Sequence, residues 1–168
     1  MRRVLMAVYV GATMLTGAAQ AADKIATPVA AKSQPVITAD RPRVAYVAFR
    51  ILELERSLKF YQDILGMQER QRIPLDNGVM EILLGYGDAN KDAGVLLLYN
   101  PNHKEPYTHG DGFHRFIISV KDLPALIAHV KAAGGKVMRG PIRVDNLKLS
   151  YAFISDPDGY QIELVEND

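Results

Sequence analysis

Few side chains in this chain can do chemistry. It contains no cysteine and only four histidines, His103, His109, His114 and His129. Without cysteine there is no thiol nucleophile, no disulfide framework and no lipid attachment at a thiol. The histidines show no metal-ligand spacing, so no zinc motif stands behind them. More informative are charged residues inside runs that otherwise read as strands. Arg50 lies in the alternating run from Val44 to Ile51, Arg115 in Phe113 to Val120, and Glu163 in Gln161 to Glu166. Strand side chains alternate between faces, so Arg115 shares a face with Ile117 and Ser119, while His114 and Phe116 take the other. That makes His114 a core or interface histidine. His103 and His109 read as exposed loop residues, and His129 as a residue on a helix surface. A guanidinium on a sheet face suits a carboxylate, to which it donates two parallel hydrogen bonds. Arg50 has a simpler option in a surface ion pair with Glu53 or Glu55.

The elements that position these residues are written twice. A shift of sixty-nine places sets Val47, Phe49, Ile51, Leu54, Leu58 and Tyr61 on Phe116, Ile118, Val120, Leu123, Ile127 and Val130. In each copy an alternating strand runs into an amphipathic helix that ends near glycine, at Leu65-Gly66 and Gly134-Gly135. Met80, Ile82 and Leu84 likewise fall on Leu149, Tyr151 and Phe153. A repeat this long is no short solenoid unit. It predicts an α+β fold of paired βαβββ modules related by an approximate twofold axis, over residues 42–100 and 112–166. The first module reads as strand 44–51, helix 54–65 and strands 67–73, 79–86 and 95–99. The second reads as strand 113–120, helix 123–133 and strands 136–140, 148–155 and 161–166. Asn77-Gly78 is a hairpin signal. Asp156-Pro157-Asp158-Gly159 is a turn in which proline fixes φ and glycine takes the positive-φ position. Helices cover one face of each sheet, so the other face must line a cleft or a partner subunit.

The N-terminus has the layout of a secretory signal peptide over residues 1–21. Arg2-Arg3 is followed by an apolar run to Ala18 and a small-x-small site at Ala19-Gln20-Ala21. The run is short for a bilayer span. The expected mature chain starts at Ala22, with a flexible linker over 22–41 and one domain over 42–168, in a periplasmic or secreted location. Its formal charge of +1 becomes −1 once Arg2 and Arg3 are removed. There is no basic stripe and no case for nucleic acid. After signal cleavage nothing argues for a membrane.

Two stretches resemble a known family. Arg56-Ser57-Leu58-Lys59-Phe60-Tyr61 with Ile64-Leu65-Gly66-Met67 resembles the first helix of glyoxalase I, a lactoylglutathione lyase. Asp156-Pro157-Asp158-Gly159-Tyr160-Gln161-Ile162-Glu163-Leu164 resembles its last hairpin. The resemblance runs from about Val44 to Glu166 and points to the vicinal-oxygen-chelate superfamily, which includes bleomycin-resistance proteins and extradiol dioxygenases. It implies a divalent metal held by His or Gln, Glu, His and Glu. In this sequence those positions carry Tyr46, Leu96, Arg115 and Glu163, and only Glu163 keeps its ligand type. Leu96 has no donor atom. A guanidinium about 4 Å from a divalent ion is repelled by roughly 8 kcal/mol at an effective dielectric near 20. No metal is therefore expected, with Zn or Ni disfavoured.

The resemblance also implies that Arg50 and Asn100 hold the γ-glutamyl end of a glutathione ligand, although Asn100 also fits simple loop chemistry before Pro101. It leaves Arg115 and Glu163 two readings. They pair across the sheet where the metal would sit, or Glu163 is a general base and Arg115 steadies an enolate oxygen, with Tyr46 as a second donor. The expected function is an exported glyoxalase-I-like protein that binds or converts a small carboxylated or glutathione-conjugated ligand. Any catalysis would be metal-independent and of the lyase or isomerase type. The alternatives are a sequestering protein of the bleomycin-resistance type, or a glyoxalase with a rearranged metal site. The expected partner is an anionic small molecule bound in one cavity lined by Arg50, Asn100, Arg115, Glu163 and Tyr46, in a homodimer.

Overall fold

Alternation sets the first strand. Phe49 and Ile51 are buried, whereas Ala48 and Arg50 between and beside them are exposed, along β1 (Tyr46–Ile51). A computed structural model describes residues 42–168; the expected signal peptide at 1–21 and linker at 22–41 lie outside the described residues. The expected single helix at 54–65 has two parts. α1 (Leu54–Leu58) continues into π-helical turns over Lys59–Ile64. The wider turn brings adjacent Phe60 and Tyr61 both into the core, their rings edge-on at 5.1 Å. Gly66, at φ +71°, ends the helix as its positive-φ residue.

The chain then forms β2 (Gln68–Pro74), β3 (Met80–Gly85) and β4 (Gly94–Tyr99), giving a first sheet in the order β1-β4-β3-β2. The second copy gives β5 (Phe116–Ser119), α2 (Leu123–Ala132), β6 (Lys136–Val144), β7 (Leu149–Ser155) and β8 (Gln161–Asn167), ordered β5-β8-β7-β6. In each sheet the first and last strands run parallel and the other pairs antiparallel. The fold is the paired βαβββ arrangement. Asp122 caps α2 by accepting from the Ala125 amide at 2.9 Å, with Pro124 in the first turn.

The repeat is not a uniform shift. Leu54, Leu58 and Tyr61 do correspond to Leu123, Ile127 and Val130 in facing the core. The later strands slip. Ile82 and Leu84 are fully buried and pair with Leu97 and Val95, while Ala152 and Ile154 are the fully buried residues that pair with Leu164 and Ile162. The structural partners of Ile82 and Leu84 are thus Ala152 and Ile154, not Tyr151 and Phe153. One residue of slip turns a strand over, so Tyr151 and Phe153 lie on the face away from the core. β6 also runs past its expected end at Gly140. Its register shifts twice around Arg139, and an outer strand tolerates Pro141, which has no amide proton to donate.

Each sheet keeps one face without helices. Register places Tyr46, Gly94 and Gly85 in one row of the first sheet's open face, Ala48, Leu96 and Leu83 in the next, and Arg50, Leu98 and Glu81 in a third. On the second sheet Ile117, Glu163, Phe153 and Arg139 form a corresponding row. No helix among the described residues is long and apolar enough to cross a membrane.

Candidate functional site

On the second sheet's open face, Arg115 precedes β5 and meets Glu163 of β8. Its Nε donates to Glu163 Oε2 at 2.5 Å, and its guanidinium carbon stands 5.4 Å from the Phe153 ring centre. The side chains are 29% and 13% exposed, so the pair is only partly screened by water. The cross-sheet pair expected of these two residues is present. His114 does not lie in the core, one of the two places expected for it. It is exposed, and its Nδ1 accepts from Arg115 Nη1 at 2.5 Å. The alternation that sent it into the core fails because β5 begins only at Phe116, and no ladder constrains the backbone before it. A cavity of about 410 Å³ beside the pair is lined by His114, Met138, Arg139, Phe153 and Gln161. Arg139 is exposed, and its side chain makes no ion pair or hydrogen bond among the described residues. Sequence reasoning passed over it, although the sixty-nine-residue repeat sets it on Arg70.

Tyr46, Arg50, Leu96 and Asn100 belong to the first sheet's face instead. Arg50 is exposed and pairs with neither Glu53 nor Glu55 among the described residues; its guanidinium carbon lies 5.9 Å from the Tyr107 ring centre. Asn100 turns its side-chain oxygen back to accept from the Asn102 amide at 3.0 Å, as loop chemistry alone requires. No hydrogen bond or ion pair among the described residues joins these positions to Arg115 or Glu163, so the five expected cavity residues divide between two sheet faces. His103 and His109 are half-buried rather than exposed. Each stacks on a tyrosine at 4.1 Å, Tyr107 and Tyr160 respectively. His129 is exposed on α2 as expected.

The Asp156–Gly159 turn does more than reverse the chain. Asp158 accepts from the Leu52 amide at 3.1 Å, Arg56 Nη2 at 2.7 Å and Ser57 Oγ at 3.0 Å, all in the first copy. Asp156 accepts from the Tyr61 hydroxyl at 2.8 Å and from the Asp158 and Tyr160 amides at 3.0 and 2.7 Å. Burial pushes the Asp156 carboxyl up to about 6, against the pull of its three donors. Burial, then the Asp156 charge, holds the Tyr61 hydroxyl well above the usual phenol range. This latch joins the two copies and so fixes how their sheets are presented.

The metal that the resemblance implies finds no donor set in these residues. Leu96 offers no lone pair, Tyr46 faces the Arg70 guanidinium at 5.8 Å from its ring centre, and Glu163 is engaged by Arg115. Among the described residues no group of three His, Asp or Glu side chains is arranged to hold a cation. The donors do not fit a divalent ion.

Residues 43–164 match the model of the glyoxalase/bleomycin resistance protein/dioxygenase superfamily. A probable lactoylglutathione lyase of Vibrio parahaemolyticus is 38% identical over 74% of this chain and 91% of its own length. The lactoylglutathione lyase of Haemophilus influenzae is 37% identical over 74% of this chain and 93% of its own. A probable chloroplastic lactoylglutathione lyase of Arabidopsis thaliana is 39% identical over 76% of this chain, which spans only 36% of that longer protein. Among solved structures, glyoxalase I of Zea mays superposes with a TM-score of 0.69 at 33% identity, covering 75% of this chain and 45% of that one. The trypanothione-dependent glyoxalase I of Leishmania major gives 0.66 at 28% identity, covering 75% and 87%. With its two βαβββ copies and their open sheet faces, the chain belongs to the glyoxalase/bleomycin resistance protein/dioxygenase superfamily and is a glyoxalase-I-like member of it.

Proposed function

We propose that this protein binds a small carboxylate-bearing thiol conjugate of the glutathione type, in an exported compartment, without a resident divalent metal. The observation that carries the reading is the Arg115–Glu163 pair, 2.5 Å between Nε and Oε2, at two of the four positions where the resemblance puts metal ligands. A carboxylate committed to a guanidinium is withdrawn from metal ligation. The relatives' name, lactoylglutathione lyase, supports the thiol-conjugate class. The cavity beside the pair offers Arg139 and Gln161 as donors over the Phe153 ring, which suits an acid with an apolar body. Two copies of the chain would bring the open faces of the first and second sheets together, joining Arg50 to Arg115 across a dimer interface.

Metal analysis and calorimetry test this reading together. Untagged protein should carry far less than one Zn or Ni per chain and should bind S-methylglutathione. The Arg115→Met variant should bind it more weakly by about 1.5–3 kcal/mol, the worth of a charge-assisted hydrogen bond. Stoichiometric metal that is lost on Glu163→Ala would overturn the metal-free reading. Turnover of the methylglyoxal–glutathione adduct that survives chelation but vanishes in Glu163→Gln would make Glu163 a general base rather than a structural partner. Mass spectrometry of secreted material should find a chain starting near Ala22; an intact Met1 in a membrane fraction would refute export by cleavage.

A further inference from the structure

Arg70 is the residue that the irregularity in β2 sets apart. The ladder to β3 pairs Glu69 with Leu84 and Gln71 with Leu83, leaving Arg70 between them without a partner. Its side chain crosses the first sheet's open face. A Cβ on Gly85 would collide with the Arg70 guanidinium carbon, whereas one on Gly94 would collide first with the Leu84 carbonyl oxygen and then stand 2.8 Å from the Tyr46 ring and 3.0 Å from Arg70 Nη1. Gly85 thus clears a lane and is buried beneath the arginine that fills it, while main-chain crowding alone already requires glycine at 94. Glycine weakens a strand, and its use there marks a close approach. At the end of the lane the guanidinium carbon lies 5.8 Å from the Tyr46 ring centre.

The charge at the end of this lane is uncompensated. Nη1 donates to the Asp92 carbonyl at 3.1 Å and Nη2 to the Tyr86 carbonyl, while Nε has no partner. No carboxylate among the described residues pairs with Arg70, and the Tyr46 hydroxyl makes no hydrogen bond there. A guanidinium carries five N–H donors, so donors remain unused beside the Tyr46 ring. Holding the loop after β3 in place would need donors to two carbonyls but no charge.

We propose that Arg70 and the Tyr46 hydroxyl form an oxyanion-binding subsite on the first sheet, which takes a carboxylate of the ligand. The subsite rests on the reading above that the protein binds an acidic small molecule, and it names a residue no part of that reading used. It also gives Tyr46 a role, as hydrogen-bond donor to an anion. A fixed cation beside Tyr46 would repel a divalent ion and attract a carboxylate, as the proposed function requires.

The test separates charge from architecture. Calorimetric titrations would compare benzoate with its neutral isostere benzamide, and then S-methylglutathione, on untagged wild type, Arg70→Gln, Tyr46→Phe and Arg115→Met. Glutamine keeps an amide donor for a loop carbonyl and removes the charge. The subsite requires Arg70→Gln to weaken benzoate at least tenfold and leave benzamide within twofold, with a shallower salt dependence. Tyr46→Phe should weaken benzoate several-fold and spare benzamide; it decides the matter if Arg70→Gln does not fold. Equal losses for benzoate and benzamide would make Arg70 a loop staple and overturn the subsite. Benzoate affinity unchanged in Arg70→Gln but lost in Arg115→Met would overturn it while leaving the acid-binding reading intact. Wild type that binds neither benzoate nor S-methylglutathione at millimolar concentration would overturn both.

Discussion

Asp156 shows how little room the latch leaves for a charge. The residue is 4% exposed, and its carboxyl is pushed up from the ordinary 3.8 to about 6 because burial outweighs three hydrogen bonds. A folded-state pKa above the unfolded one means that the folded protein holds the proton more tightly. The resulting stabilisation is fully present below the unfolded pKa and is lost as pH rises through about 6. Unfolding experiments should therefore show stability increasing as pH falls from 7 towards 5, at up to about 1.4 kcal/mol per pH unit. Glu69, Asp88 and Asp168, whose carboxyls are held below their ordinary values by arginine or by local amides, reverse the trend below about pH 4. Asp156→Asn should flatten the slope between pH 5 and 7; an unchanged slope would place the titrating group elsewhere. At this scale the sequence was partly legible. The Arg115–Glu163 pair was one of the two readings that the family resemblance left for these residues, and its geometry follows it. The latch does not, because its partners are about a hundred residues apart and nothing local in Ser57 or Tyr61 announces a cross-chain carboxylate. Arg70 was hidden for another reason: a bulge moves one side chain off the period-two pattern, and only the ladder shows where.

Elements were legible where periodicity was strong and obscure where it broke. Strands β1, β2, β3, β4, β7 and β8 and helix α2 fall within a residue or two of their expected bounds. The π turns after α1 were invisible because the apolar spacing Leu54, Leu58, Tyr61, Leu65 also fits an α-helix. β6 outran its expected end at Gly140 because bulges let an outer strand absorb Gly140 and Pro141. Gly140 sits at φ +95°, where a Cβ would stand 2.7 Å from the Tyr151 carbonyl oxygen and 2.8 Å from the Ala152 Cα. Backbone cannot move aside as a flexible side-chain tip does. Gly140→Ala should therefore destabilise the protein by about 1–3 kcal/mol and loosen the β6–β7 ladder in hydrogen exchange. Gly134→Ala is the control: φ is also positive, at +77°, but no atom lies within 4 Å of the added Cβ. It should cost less, and equal losses at the two sites would mean that backbone conformation, not crowding, sets the requirement at Gly140.

At the scale of the molecule, two sheet faces without helices leave apolar surface in water. Ile117, in the row with Glu163, is 60% exposed, and Met138, beside Arg139, is 44% exposed. Single exposed apolar residues need no explanation, but a row that continues through Phe153 and flanks an ion pair asks for a cover. The twofold repeat within the chain supplies a natural one. A second copy turned about a twofold axis would set the first sheet of each chain against the second sheet of the other, an isologous contact in which each face is used once. That arrangement would bring Arg50 and Arg70 to Arg115 and Glu163, which the single chain keeps on separate faces. Sedimentation of the untagged protein should give a dimer at tens of micromolar. Ile117→Lys places a like charge two residues from Arg115 and removes apolar area from the contact, so it should shift the mass to that of a monomer. It should also weaken S-methylglutathione binding in the same concentration range, because half the binding residues would leave with the partner. A monomeric wild type, or a dimer indifferent to Ile117→Lys, would mean that the open faces are completed by something other than a second copy. Full ligand affinity in a monomeric Ile117→Lys protein would confine the binding site to one chain, with no residue supplied by a partner.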